Sequence, residues 1–294
     1  MIVSLSAHPH VQADKGAPMT TWLITGCSTG LGRHLAETAL ARGHQVVVTA
    51  RDVSKVADIA ARYPDTSLAI ALDVTDDTQV SAAVDAATDR FGAVDVLVNN
   101  AGYGYRSAVE EGEDGAVRRL FDTHVFGTVC TIKAVLPGMR GRRSGTIVNI
   151  SSIGARLSPA GSGYYAAVKA AIEALTLSLR REVAPLGIRA LTVEPGAFRT
   201  DFAGRSLTQS ASPIAEYAAT AGARRIENDT AHGNQPGDPV KAAQAVVDAV
   251  ESDDPPFLLL LGNDAVDGFT GALDALRADA ESWESVSRST DFDS

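Results

Sequence analysis

The chain has 294 residues, of which 45% are hydrophobic and 21% are charged, and its formal net charge is −10. This length and composition suit one large domain or two small ones with ample surface to bury in a core. The excess of acidic residues argues against nucleic acid and anionic membrane surfaces as partners, because both require a basic face. No apolar run of the sequence approaches the length needed to span a bilayer.

The cysteines and histidines exclude the common metal sites. Cys27 and Cys130 are far apart and match no metal-ligand or redox spacing. Free thiols in a reducing compartment, the cytoplasm, are therefore expected. The six histidines are scattered along the chain, so no metal site is predicted.

The predicted elements alternate between strand and helix. Residues 1–18 lack an apolar run and are predicted to form a disordered extension. Short apolar runs then predict strands at 22–25, 45–50, 67–72, 94–99, 146–150, 189–193 and 257–261. Helical patterns fall at 31–42, 53–62, 77–91, 115–139, 164–184 and 239–252. This alternation predicts a Rossmann-type α/β fold, a doubly wound parallel sheet of about seven strands flanked by helices.

Two regions depart from the alternation. We expect residues 19–262 to form a single domain, since no linker interrupts them. Within it, residues 196–237 are rich in Ala, Ser, Thr and Gly and show no strand signal. A stretch of that length in a compact domain predicts a substrate-binding loop. Residues 263–294 predict a helix over 266–280, followed by a loose acidic tail.

A glycine-rich turn joins the first predicted strand to the first predicted helix. It contains Thr25, Gly26, Ser28, Thr29, Gly30, Leu31 and Gly32. Glycines let the backbone approach a pyrophosphate, whose charge the amides and dipole at a helix start stabilise. A turn of this kind alone is often an ordinary connection. Its place after the first strand of a doubly wound sheet predicts a dinucleotide site.

The end of the second strand discriminates between cofactors. NAD-binding proteins carry an acid there, which hydrogen-bonds the ribose hydroxyls. Here the strand ends at Ala50 and Arg51 follows. Arginine can pair with a 2′-phosphate, so we predict NADP(H) rather than NAD(H). Asp52 is interpreted as the cap of the next helix.

Tyr165 and Lys169 stand four residues apart on a predicted helix, so their side chains share a face. A nearby ammonium favours the phenolate, which predicts a lowered pKa for Tyr165. Such a tyrosine could exchange a proton with an alcohol or a ketone. Alone, the pair is more often a plain surface contact.

The motifs together resemble those of short-chain dehydrogenases/reductases. They occur in the order Thr25-Gly26-x-x-x-Gly30-x-Gly32, Asn99-Asn100-Ala101-Gly102, Ser152, Tyr165-x-x-x-Lys169 and Pro195-Gly196. The resemblance covers about residues 20–262, and its details are similar to the branch of retinol- and hydroxysteroid-dehydrogenase-like oxidoreductases.

The resemblance implies a role for each matching residue. Tyr165 would be the acid or base, Lys169 would lower its pKa and bind the nicotinamide ribose, and Ser152 would hold the substrate oxygen. Cofactor contacts are implied for Tyr165 and Lys169 and for Asp73, Val74, Asn100, Ala101, Gly102, Pro195, Gly196, Phe198 and Thr200.

His124 is a departure from the family pattern, which usually has asparagine at this position. Histidine can also bond water, and its ordinary pKa lies near neutrality. We therefore expect His124 to take part in a proton relay with altered pH dependence.

The resemblance implies an NADP(H)-dependent oxidoreductase that interconverts a secondary alcohol and a ketone or aldehyde, assembled as a homodimer or homotetramer. The mixed composition of residues 196–237 favours a moderately hydrophobic substrate. Two alternatives stay open at this point: a catalytically silent NADP(H)-binding regulator, and a non-redox isomerase or dehydratase on the same fold.

Overall fold

The computed structural model describes residues 19–204, 206–226 and 233–292, so the predicted extension over 1–18 lies outside the described residues. The strands are β1 Thr21–Ile24, β2 Gln45–Ala50, β3 Ser67–Ala71, β4 Val96–Asn99, β5 Gly104–Arg106, β6 Gly145–Ile150, β7 Ile188–Pro195, β8 Leu207–Gln209 and β9 Leu258–Leu261. The helices are α1 Gly30–Ala41, α2 Ala57–Arg62, α3 Asp77–Phe91, α4 Asp114–Phe121, α5 Gly127–Arg142, α6 Gly154–Leu157, α7 Gly163–Val183, α8 Pro239–Glu251, α9 Asn263–Ser282 and α10 Glu284–Arg288.

Seven of these strands form one parallel sheet in the order β3-β2-β1-β4-β6-β7-β9. Leu23 of β1 pairs with Val47 of β2 on one side and with Leu97 of β4 on the other. The predicted doubly wound sheet is confirmed. The strand order reverses between β1 and β4, and ligands of such sheets bind beyond the carboxyl ends of the strands at this point.

Alternate residues of each strand feed two apolar cores. Trp22 and Ile24 of β1 lie in the core under α1 and α8. Leu23 points the opposite way, into a core with Met139 of α5 and Leu179 of α7. Complete burial of one such side chain stabilises the fold by about 1.5–3 kcal/mol. The sheet is therefore clamped from both faces, which fixes the positions of its carboxyl ends.

The helix predicted over 115–139 is interrupted in the structure. After α4 the chain forms a π-helical turn at Asp122–Phe126, and α5 begins at Gly127. Apolar periodicity continues across such a wide turn, so the sequence pattern does not reveal it. Wide turns of this kind occur often at functional sites, and this one carries His124.

The segment 196–237 contains a strand, contrary to expectation. Its described part includes β8, which pairs in parallel with β5 in a separate two-stranded sheet. Each strand has only three residues, so neither shows an alternating pattern. Arg106 of β5 lies opposite Gln209 of β8.

The C-terminal part is more helical than predicted, because α9 ends at Ser282 and α10 follows. Within the described ranges, no helix has the length and apolar character required to cross a membrane.

Candidate active site

The carboxyl ends of the parallel strands open into a cleft of about 1770 Å³. Small-molecule pockets usually enclose about 300–1,000 Å³, so this cleft has room for a dinucleotide and a second molecule. The predicted site residues that line it are Gly26, Ser28, Thr29, Gly30, Leu31, Arg51, Asp73, Val74, Asn100, Ala101, Gly102, His124, Ser152, Tyr165, Lys169, Pro195, Gly196, Phe198 and Thr200.

Thr25 and Gly32 lie behind the glycine-rich turn and do not line the cleft. The buried hydroxyl of Thr25 accepts hydrogen bonds from the backbone amides of Asn100 (2.9 Å) and Ala101 (3.0 Å). A Cβ on Gly32 would clash with the Asn100 side chain. These two residues therefore shape the turn from behind, and their contact with a cofactor stays a prediction.

The turn itself fits a dinucleotide. Gly26 and Gly30 adopt φ values of 74° and 61°, a region that favours glycine. A Cβ on Gly26 would lie only 2.9 Å from Cα of Ala101, so the backbone approaches closely here. Thr29 at the start of α1 makes no side-chain cap, and the first turn of α1 carries no acid. The helix amides and dipole are thus available to an anion.

Arg51 and Asp52 follow β2 at one end of the cleft. Arg51 is exposed and lines the cleft. The Asp52 carboxylate accepts hydrogen bonds from the backbone amide of Ser54 (3.0 Å) and its hydroxyl (2.7 Å). The interpretation of Asp52 as a cap is confirmed, which leaves Arg51 as the charged side chain that faces the cleft at this point.

Ser152, Tyr165 and Lys169 meet at the other end of the cleft. The Lys169 ammonium donates to the Ile150 carbonyl (2.8 Å) and lies 5.7 Å from the centre of the Tyr165 ring. Tyr165 is 7% exposed. The hydroxyl of Ser152, just after β6, accepts from the Gly154 amide (3.0 Å), and its interaction with the Tyr165 phenol favours the ionised form of that phenol.

Burial controls the protonation of this pair. It raises the pKa of Tyr165 to about 12, although the Ser152 hydrogen bond and the charge of Arg106 lower it. Burial also lowers the pKa of Lys169 to about 8, against the effect of Glu173. The expected lowered pKa of Tyr165 is therefore wrong: desolvation of the phenol outweighs the attraction of nearby positive charge, and the phenol is protonated at neutral pH.

His124 is buried beside Tyr165, with its ring edge-on to the phenol at 5.9 Å. Its Nε2 lies 2.8 Å from the carbonyl oxygen of Tyr103 and 3.0 Å from the Tyr103 amide nitrogen, so either neutral tautomer makes one bond. Burial, and then the charge of Lys169, lower its pKa to about 3. The expectation of a pKa near neutrality is wrong. Participation in a water relay stays a prediction.

Several residues outside the predicted site set also line the same cleft. Phe202 packs its ring 5.7 Å from that of Tyr165, and Asp264 accepts a hydrogen bond from the Ala197 amide (2.6 Å). Arg106, on β5, and Arg224 line it as well. Phe202 and Arg224 belong to the predicted substrate loop, and Arg106 is a charged residue four positions after Gly102 of a site motif.

The comparisons with known proteins agree with this arrangement. A family profile described as short chain dehydrogenase matches residues 20–211. The chain is similar to an oxidoreductase of Botryotinia fuckeliana, with 37% identity over 90% of this chain and 97% of the relative. It is also similar to human retinol dehydrogenase 8, with 36% identity over 82% of this chain and 80% of the relative.

Solved structures give the same picture. A short-chain dehydrogenase from Streptomyces avermitilis has a TM-score of 0.87 and 46% identity, covering 93% of this chain and 98% of its own. A Brucella melitensis 3-ketoacyl-(acyl-carrier-protein) reductase with NADH has a TM-score of 0.67 and 26% identity, covering 82% of this chain and 96% of its own. A Burkholderia cenocepacia short-chain dehydrogenase with NADP has a TM-score of 0.70 and 25% identity, covering 90% of this chain and 96% of its own.

The matched length and the fold thus lead to one conclusion. The chain belongs to the short-chain dehydrogenase/reductase family, whose members are oxidoreductases that act on small molecules of the CH–OH type with a nicotinamide dinucleotide.

Proposed function

We propose that this protein is an NADP(H)-dependent oxidoreductase that interconverts a secondary alcohol and a ketone or aldehyde. The observation that carries the proposal is the position of the Tyr165 phenol. It lies with Ser152 and Lys169 in the same cleft that the glycine-rich turn lines. A proton donor and a dinucleotide site in one cleft are what carbonyl reduction requires.

The protonated phenol fits the role of general acid. In reduction, Tyr165 donates its proton to the carbonyl oxygen, and in oxidation its phenolate form takes a proton from the alcohol. Ser152 donates a hydrogen bond to the same oxygen as charge develops on it. The Lys169 ammonium, held by the Ile150 carbonyl, stabilises the phenolate that remains. When bound, the nicotinamide dinucleotide supplies the hydride-transfer chemistry.

The preference for NADP(H) rests on Arg51. The similar structures carry either cofactor, NADH in one and NADP in another, so family membership alone does not decide. Arg51 faces the cleft after β2, where its guanidinium can form a charge-assisted fork with a 2′-phosphate. Asp52 caps the next helix through its Oδ1 and does not line the cleft.

The remaining proposals concern organisation. We propose a single domain over 19–262 in which residues 196–237 form the substrate wall, since Phe202 packs against Tyr165. The free thiols fit a cytoplasmic location. A homodimer or homotetramer would form through α5 and α7, where Leu177 is an exposed apolar side chain. Light scattering after size exclusion measures the assembly.

The experiment for the central proposal is Tyr165→Phe, with Tyr164→Phe as the matched control. The adjacent Tyr164 hydroxyl donates to the Val109 carbonyl (2.7 Å). We expect Tyr165→Phe to lower kcat for ketone reduction by at least about 10²-fold, the usual contribution of a general acid, with unchanged NADPH affinity. Tyr164→Phe should retain turnover. Undiminished turnover of Tyr165→Phe would remove the proposed acid.

A further inference from the structure

Arg106 is a buried cation that has no counter-ion among residues 19–204, 206–226 and 233–292. It is 7% exposed and lines the cleft, yet its Nε and Nη1 have no hydrogen-bond partner. No carboxylate of the described residues forms an ion pair with it. An unpaired buried charge is costly to a fold, so a position of this kind calls for a ligand.

The acids nearest in sequence are committed elsewhere. The Glu111 carboxylate accepts from the amides of Ala108 (2.7 Å) and Ile214 (2.8 Å) and pairs with Arg225. Glu113 accepts from the hydroxyls of Tyr105 and Ser210 and from the Ala211 amide. Glu110 accepts from the Tyr217 hydroxyl (2.6 Å). None of these three carboxylates therefore neutralises Arg106.

A buried hydroxyl in the cleft also suits an anion. Burial lowers the pKa of Arg106, and the charge of Arg224, which also lines the cleft, lowers it further. Arginine nevertheless stays protonated in proteins. The buried Ser162 hydroxyl lines the cleft as well and has no hydrogen-bond partner. A guanidinium fork with a free hydroxyl matches the oxygens of a carboxylate.

The position of Arg106 links this anion site to the chemistry. Its Cζ lies 5.8 Å from the centre of the Tyr165 ring, so one small molecule can contact both side chains. We propose that the substrate is an oxo acid or the corresponding hydroxy acid, whose carboxylate binds Arg106 while its carbonyl oxygen meets Tyr165. This inference rests on the proposed function and adds the charge of the substrate to it.

A competing role for Arg106 is to tune Tyr165 by charge alone, since Arg106 lowers its pKa. That role would affect charged and neutral substrates equally. The substrates that discriminate between the two roles are straight-chain oxo acids and their methyl esters. In these acids the carboxylate and the carbonyl group are separated by none, two or three methylenes. The variants are Arg106→Gln, which removes the charge, and Arg106→Lys, which keeps it.

In the wild type we expect kcat/KM for the best acid to exceed that of its ester by at least about tenfold. Arg106→Gln should lower the value for the acid by about 10–100-fold, the worth of a charge-assisted hydrogen bond. The ester should change by less than about threefold, and Arg106→Lys should keep part of the preference. Equal losses for acid and ester, or a wild-type preference for esters, would overturn the inference.

A second measurement keeps the inference separate from the proposed function. The oxo acids are titrated calorimetrically into protein saturated with NADP⁺, with which they cannot react. Weaker binding to Arg106→Gln than to the wild type supports the anion site even if no substrate is turned over, in which case the proposed function alone fails. Absent binding, or equal binding to both proteins, contradicts the site. Thermal melting checks the fold, and Arg106→Gln should melt no lower than the wild type because an unpaired charge is removed.

Discussion

The buried imidazole of His124 makes the protein sensitive to acid in a way that can be calculated. Its pKa is about 3 in the folded chain and 6.5 in its ordinary state. The unfolded chain therefore binds a proton below pH 6.5 that the folded chain does not bind until about pH 3. This contribution to stability is complete above 6.5 and is lost as the pH falls. Between pH 7 and pH 4 the loss amounts to about 3 kcal/mol.

The test is His124→Asn, which removes the titrating group and keeps one that can bond the Tyr103 backbone. Urea unfolding at several pH values between 7 and 4 gives the free energy of unfolding of each protein. The variant should lose about 3 kcal/mol less than the wild type over this range. The same substitution at His34, whose side chain is 32% exposed, controls for the loss of a histidine as such. Parallel pH curves for the wild type and His124→Asn would refute the reasoning.

Three further predictions concern activity and cofactor binding. Because the pKa of Lys169 is about 8, its charge is present below that pH and is lost above it. The value of kcat/KM for reduction should therefore fall above about pH 8, and Lys169→Arg should move this fall to higher pH. If the fall does not move in the variant, another group causes it. Arg51→Gln should weaken NADPH binding by about 10–100-fold and leave NADH binding unchanged in a fluorescence titration; equal weakening of both would contradict the 2′-phosphate contact. Gly26→Ala places a Cβ 2.9 Å from Ala101 at a φ of 74° and should weaken both dinucleotides together; unchanged affinities would show that the close approach is not needed.

The sheet could be predicted from the sequence because its signals are local. Runs such as the valines of β2, buried on both faces, identify parallel strands, and the glycine-rich turn marks the first crossover. The strands β5 and β8 could not be predicted, since each has three residues and is defined by a partner about a hundred positions away. The π-helical turn at Asp122–Phe126 was hidden because apolar spacing runs through it.

The candidate site was predictable in membership but not in electrostatics. The residues that the motif order groups, Ser152, Tyr165 and Lys169, all line one cleft, and their catalytic roles stay predictions. Spacing alone, however, says that an ammonium lowers the pKa of a phenol, whereas burial raises it to about 12. For His124 the sequence indicates a pKa near neutrality, whereas burial lowers it to about 3. Desolvation depends on the whole surrounding fold, so the protonation state of a buried group has no short sequence signature.

The most direct test of the account is the stoichiometry of cofactor use by the wild-type protein. Purified protein is mixed with NADPH and a panel of ketones, aldehydes and oxo acids, and NADPH consumption is compared with alcohol formation. We expect one alcohol formed for each NADPH consumed with at least one member of the panel. If NADPH binds but is not consumed, the protein is a silent regulator instead. If a substrate is converted without net consumption of NADPH, it is an isomerase or dehydratase.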